Sequence, residues 1–141
     1  MAHAEARGAE NAHMKMLFLL AASPLVVATA HAQAVGGDSA AGKVAFAACA
    51  GCHQVGPSAR NAFGPQLNGI LGRRAGDQPG YSYSDAMRKS QVIWSEPSLA
   101  AFIKRPEQVV PGTRMRFSGW GYDERRLADL FAYLRTFPPV K

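Results

Sequence analysis

The sequence predicts a small all-α domain in which a few short helices are joined by long loops. Several short stretches carry apolar residues three and four positions apart, and each follows a residue that can cap a helix. Residues 54–80 lack this periodicity and are rich in Gly, Pro and Asn, which is typical of a loop. Strand-like and helix-like segments do not alternate, which argues against an α/β fold.

Two helices are predicted on either side of this long loop. Asp38 or Ser39 can cap the first helix, whose side chains Val44 to Ala48 offer apolar surface. Ser82 or Ser84 can cap a short second helix that runs through residue 89.

A third helix is predicted after Ser95, with Pro97 tolerated in its first turn. Pro106 should end it, because proline disfavours helical geometry in the residue before it. The apolar stripe of this helix consists of Leu99, Phe102 and Ile103.

The last predicted helix has the clearest amphipathic pattern. Asp123 can cap it, and Glu124 suits the positive end of the helix dipole. Pro138 and Pro139 end it. Its stripe consists of Leu127, Leu130, Phe131 and Leu134.

Residues 1–32 are predicted to be an N-terminal extension followed by a cleavable secretory signal peptide. A basic start at residues 14–16 precedes an apolar run over residues 17–30, and Ala30-His31-Ala32 is a small-x-small cleavage pattern. The run is shorter than the roughly 20 residues that a membrane-spanning helix needs, so an uncleaved anchor is the weaker alternative. Residues 33–141 then form a single domain, and export implies a periplasmic location.

The motif Cys49-Ala50-Gly51-Cys52-His53 is the attachment signature of a covalent c-type haem. Two thiols three residues apart lie on one side of a helical turn, where each can add to one haem vinyl group. The histidine that follows is carried beneath the porphyrin, where a ring nitrogen can bind iron.

The cysteine pair has two other possible roles, and the rest of the sequence argues against both. A thioredoxin-like dithiol belongs at a strand-to-helix turn, which this sequence lacks. Structural zinc needs four ligands, and the other histidines all lie in the predicted leader. Those histidines are His3, His13 and His31. Residues 33–141 are therefore one Cys or His ligand short of a zinc site.

A second axial ligand for iron has two candidates after the leader is removed, Met87 and Met115. Electron carriers often pair methionine with histidine, which raises the reduction potential. Met115 lies in the segment Pro111-Gly112-Thr113-Arg114-Met115, far enough downstream to reach the opposite haem face, and is favoured. Met87 lies in a short helix and suits a packing role.

These motifs, in this order, strongly resemble class I cytochrome c, the small mono-haem His/Met carriers, in a bacterial form close to the mitochondrial-like group. The match covers nearly all of residues 38–137. Besides the cysteine motif and the Met115 segment, it includes Gly64-Pro65-Gln66-Leu67-Asn68-Gly69-Ile70-Leu71-Gly72-Arg73, Gly80-Tyr81-Ser82-Tyr83-Ser84-Asp85-Ala86, Trp94 and Asp129-Leu130-Phe131-Ala132-Tyr133-Leu134.

The resemblance implies a cytochrome c fold wrapped around one haem c, joined through Cys49 and Cys52, with iron ligated by His53 and Met115. It implies that the Pro65 carbonyl accepts a hydrogen bond from Nδ1 of the histidine ligand, which orients such ligands. It further implies contacts to a haem propionate from Arg73, Tyr83 and Trp94. Taken alone, these three could equally be a loop charge and two core aromatics.

The resemblance also places Gly42 and Phe46 of the first helix against the last helix. Two departures concern the methionine side of the haem: Phe102 and Met87 stand where mitochondrial members often carry tyrosine and asparagine. We expect a reduced polar network there.

The implied function is one-electron transport between respiratory or photosynthetic redox partners, without enzymatic activity. The chain has a net charge of +6, and loss of residues 1–32 removes equal numbers of basic and acidic residues. A basic monomeric carrier suits partners with acidic docking surfaces. Nucleic-acid binding is disfavoured, because the basic residues are scattered and no binding motif is present.

The alternative function is a haem protein with an open iron site, such as a gas sensor or a peroxidase-like enzyme. It would need Met115 to be absent from iron and a distal acid–base group. Residues 33–141 hold no histidine besides His53, which counts against this alternative and against Ser-His or Cys-His hydrolysis.

Overall fold

The computed structural model describes residues 36–139, and the predicted leader lies outside them. Within that range the chain forms five helices: α1 (Ser39–Phe46), α2 (Asp85–Lys89), α3 (Glu96–Lys104), α4 (Pro106–Val109) and α5 (Glu124–Arg135). The described residues contain no β-strand, and their one β-bridge is an isolated antiparallel pair between Arg74 and Ile93. The predicted all-α class is confirmed.

Side-chain caps set the starts of the four predicted helices. Asp38 rather than Ser39 caps α1, accepting from the amides of residues 40 and 41. Ser84 rather than Ser82 caps α2, and Ser95 and Asp123 cap α3 and α5 as predicted. Each cap satisfies an amide that the first helical turn leaves without a partner.

The helix α4 was not predicted. Helix α3 ends at Lys104, as Pro106 requires, but that same proline then starts α4 at a position where its missing N–H costs nothing. A helix of four residues is too short to show an apolar period.

Helices α1 and α5 pack against each other where a side chain is missing. A Cβ atom on Gly42 would overlap the Asp129 carbonyl and lie 2.7 Å from Cβ of Tyr133. Four residues later, the Phe46 ring lies 5.6 Å from the Tyr133 ring. The expected contact between the first and last helices is present.

The core lies between these two helices, α3 and the loops that flank them. Apart from the helices, it takes Ile70, Ala75, Trp94, Val110 and Tyr122 from loops. The whole core consists of Ala45, Phe46, Ile70, Ala75, Met87, Trp94, Leu99, Phe102, Ile103, Val110, Tyr122, Leu127, Leu130, Phe131 and Leu134. Residues 54–80 contain no helix, as predicted.

Candidate functional site

The cysteine motif continues the helical path of α1 for one further turn. The Cys49 amide donates to the Phe46 carbonyl, and the amides of Cys52 and His53 donate to the Cys49 carbonyl at 3.0 and 2.9 Å. The two thiols therefore stand three residues apart on a helical turn, and no disulfide joins them. Cys49 is partly buried and Cys52 is exposed.

The Cys49 thiol stays protonated over a wider pH range than a thiol in water. Burial raises its pKa, mainly because a thiolate loses hydration there, and nearby Cys52 raises it further. The nearby Tyr122 hydroxyl lowers the pKa, against the effect of burial.

The His53 ring is held from two sides by Gly64 and Pro65, which lie within the loop of residues 54–80. Its Nδ1 lies 2.7 Å from the Pro65 carbonyl oxygen, the contact that the resemblance implies. Gly64 lies against the ring face, where a Cβ would be 2.5 Å from Cε1 and 2.7 Å from Nδ1. The Gly64 amide also donates to the Cys52 carbonyl at 2.8 Å, which ties this segment to the cysteine turn.

Burial lowers the pKa of His53, and the positive charge of Arg73 lowers it further. The hydrogen bond with the Pro65 carbonyl has the opposite effect but is outweighed by burial. A neutral imidazole keeps a lone pair, and engagement of Nδ1 with the Pro65 carbonyl leaves Nε2 to carry it.

Met115 lies in a loop braced at several points. Its amide donates to the Thr113 hydroxyl at 3.3 Å, and the Gly112 amide donates to the Glu107 carboxylate at 2.9 Å. Gly112 has a φ of +88°, which accounts for glycine at this turn. The Met115 side chain is half-buried and packs against the same core as Cys49.

The segment after Met115 is joined to the end of α1. Tyr122 is buried, and its hydroxyl donates to the Ala45 carbonyl at 2.5 Å. Sequence reasoning missed Tyr122, Gly64 and the buried Thr113. Gly64 and Thr113 fall within quoted motifs, whereas no local pattern signals the long-range bond of Tyr122.

Arg73 lies near both Tyr83 and Trp94. The Trp94 amide donates to the Arg73 carbonyl at 2.9 Å. Burial raises the pKa of Tyr83, and the positive charge of Arg73 partly offsets this effect. Trp94 is buried, with its ring 4.8 Å from Phe102.

The Arg73 guanidinium also makes contacts that the sequence did not predict. It donates to the carbonyls of Gln66 and Asn68 and, at 2.5 Å, to the Gln78 side chain. Arg73 therefore braces the loop that carries Pro65. Burial lowers its pKa, although the Tyr83 and Asp77 side chains oppose that effect.

The donor set fits a covalently attached haem c. It provides two thiols that are not bonded to each other, an imidazole with one nitrogen committed, and a methionine thioether on a braced loop. Thiols that can form thioethers, together with His and Met ligands, are the groups that haem c uses.

A family model described as Cytochrome c matches residues 39–138. The chain belongs to the cytochrome c family. The cytochrome c2 of Blastochloris viridis is 44% identical over 121 residues, which cover 86% of this chain and 89% of that protein. The cytochrome c-550 of Nitrobacter winogradskyi is 45% identical over 101 residues, covering 72% of this chain and 92% of that protein.

Solved structures of cytochromes share the fold. Cytochrome cH from Methylobacterium extorquens matches with a TM-score of 0.65 at 42% identity, covering 71% of this chain and 99% of that one. Cytochrome c2 from Rhodospirillum Centenum matches with a TM-score of 0.64 at 33% identity, covering 73% and 100%. The class I cytochrome c assignment is confirmed, and with it electron transport by a haem iron.

Family membership implies covalent haem c, and the cysteines at positions 49 and 52 have the matching spacing. Of the helices in residues 36–139, none has the length and apolar character that crossing a bilayer requires.

Proposed function

We propose that this protein carries single electrons between redox proteins, using one haem c bonded to Cys49 and Cys52 and ligated by His53 and Met115. The observation that carries the proposal is the helical turn of the cysteine motif, with Nδ1 of His53 held 2.7 Å from the Pro65 carbonyl. When bound, the haem supplies a reversible ferric/ferrous couple.

Each residue has a separate part in this scheme. The two cysteines fix the haem, and Pro65 and Gly64 orient the imidazole. The Met115 loop offers a thioether as the sixth ligand, which favours the ferrous state. Arg73, Tyr83 and Trp94 are proposed to face a haem propionate, and for Arg73 this role adds to its loop contacts.

The cellular setting is part of the proposal. Cleavage after residue 32 would release residues 33–141 into the periplasm as a monomer. The net charge of +6 favours partners with acidic docking surfaces, since opposite fields speed encounter. The scheme gives the protein no enzymatic role.

An absorption spectrum of the purified protein tests the proposal, recorded oxidised, reduced, and reduced under carbon monoxide. We expect a c-type spectrum that carbon monoxide leaves unchanged at neutral pH, because both axial positions are filled. A colourless folded protein from a host with intact haem-ligation machinery would exclude haem attachment. A shift under carbon monoxide would instead favour the ligand-binding or peroxidase-like alternative.

A further inference from the structure

Trp120 is an exposed side chain for which the fold gives no internal reason. The residue is 92% exposed, the highest value among the large apolar residues on the described surface. Contact between an indole ring and water is unfavourable, so burial of the ring against a partner lowers the free energy.

The indole stands at the tip of a tight turn. The Tyr122 amide donates to the Gly119 carbonyl at 3.0 Å, and Gly121 has a φ of +81°. This is the pattern of a type II turn with Trp120 at its first central position. That position accepts many residue types, so the turn itself does not require tryptophan.

Both ends of the turn are anchored. A Cβ on Gly119 would lie 2.6 Å from the Ile103 carbonyl oxygen, so the backbone there rests directly on the end of α3. At the other end, the buried Tyr122 donates its hydroxyl hydrogen to the Ala45 carbonyl. Because this backbone is already held in place, binding a partner through the turn costs little backbone conformational freedom.

The surroundings of the indole are charged. The Arg126 guanidinium lies over the Tyr122 ring, 4.4 Å from its centroid, and reaches within 3.5 Å of the Gly121 carbonyl. The backbone of Lys104, an exposed residue, also lies against Gly119. Asp123 and Glu124 follow the turn directly and are exposed.

This mixture favours a protein partner over a membrane. The cations would attract any anionic surface, but Asp123 and Glu124 would be repelled by a uniform layer of acidic lipid headgroups. A protein can instead present an apolar pocket for the indole, with acidic side chains set opposite Arg126.

We propose that residues 119–122, the Trp120 turn, are the apolar anchor of the surface on which this carrier docks to its redox partner. The partner is a redox protein whose docking surface has acidic residues around an apolar pocket. The inference rests on the proposed function as an electron carrier. Tryptophan and arginine are enriched among the few residues that dominate interface energetics.

The test compares haem-loaded wild type with Trp120→Ala, Trp120→Phe and Val44→Ala. Val44, 72% exposed on α1, is the matched control for loss of an exposed apolar side chain. Oxidation of each reduced protein is followed with membranes from the source organism at low ionic strength, and separately with ferricyanide. For membranes we expect Trp120→Ala to raise KM at least about tenfold, Trp120→Phe to raise it less, and Val44→Ala to leave it unchanged.

Ferricyanide has no protein surface, so all four proteins should react with it at equal rates. A wild-type KM in Trp120→Ala, with normal ferricyanide kinetics, would overturn the anchor but not the carrier function. Failure of wild type to exchange electrons with ferricyanide would instead overturn the carrier function. A third outcome would also overturn the proposal. If Trp120→Ala abolishes binding to phosphatidylglycerol vesicles but leaves KM unchanged, the indole contacts a membrane and not a protein.

Discussion

His53 is the most closely constrained side chain of the proposed haem site. Gly64 lies on its ring, and the Pro65 carbonyl engages Nδ1. Burial also lowers its pKa, so the neutral imidazole that a metal needs is favoured at neutral pH. The residue is thus prepared for ligation by contacts of the protein itself.

Replacement of Met115 tests the second ligand. We expect Met115→Ala to abolish the sulfur-to-iron charge-transfer band of the oxidised protein, because the thioether is removed. Absorption spectroscopy measures it directly. Met87→Leu is the control, since Met87 is buried in the core and should leave the band in place. A band that survives in Met115→Ala would move the ligand elsewhere.

Replacement of one cysteine tests the attachment. We expect Cys52→Ser to leave a single thioether, which retains one haem vinyl group and shifts the pyridine haemochrome spectrum to longer wavelength. Cys49→Ser should give the same shift, because each thiol serves one vinyl group. A wild-type spectrum from either variant would contradict the scheme.

Among the structural elements, the segment after the Met115 loop has the most informative connection. It contacts the end of α3 through Gly119 and the end of α1 through the Tyr122 hydroxyl. The hydrogen bond from Tyr122 to Ala45 joins residues that are 77 positions apart in the chain, and Ala45 lies shortly before the cysteine turn. Tyr122 therefore links the segment that carries one proposed ligand to the helix that leads to the other.

A matched pair of tyrosines tests this link. Tyr122→Phe should lower the free energy of unfolding by about 1–3 kcal/mol, because a buried carbonyl loses its donor. Tyr81 also donates to a backbone carbonyl, that of Phe63 at 2.6 Å, but in an exposed position where water can replace it. Urea denaturation should show a smaller loss for Tyr81→Phe, and equal losses would argue against a special role for Tyr122.

At the scale of the whole molecule, positive charge is distributed over most of the chain. The described ion pairs are between exposed side chains, apart from the carboxylate of Asp129, which is mostly buried in its pair with Arg125. Exposed pairs of this kind contribute little to stability. The net charge of +6 should therefore act mainly on association with partners.

We expect the rate of electron transfer to an acidic redox protein to fall as ionic strength rises, because salt screens the attraction. Stopped-flow absorption at several salt concentrations measures the slope. Trp120→Ala should lower the rate while keeping the slope, since the indole is uncharged. A rate that is independent of salt, or that rises with it, would contradict an acidic docking surface.

Local chemistry in the sequence determined the haem motif and the four longer helices, with Ser95 and Asp123 as the caps of two of them. Each depends on residues that are neighbours in the chain, so short-range spacing was enough. The preference for Met115 over Met87 stays a prediction. Tertiary structure alone revealed the Tyr122 bond to α1 and the exposure of Trp120. These depend on which distant segments meet around the core, and no local pattern encodes that.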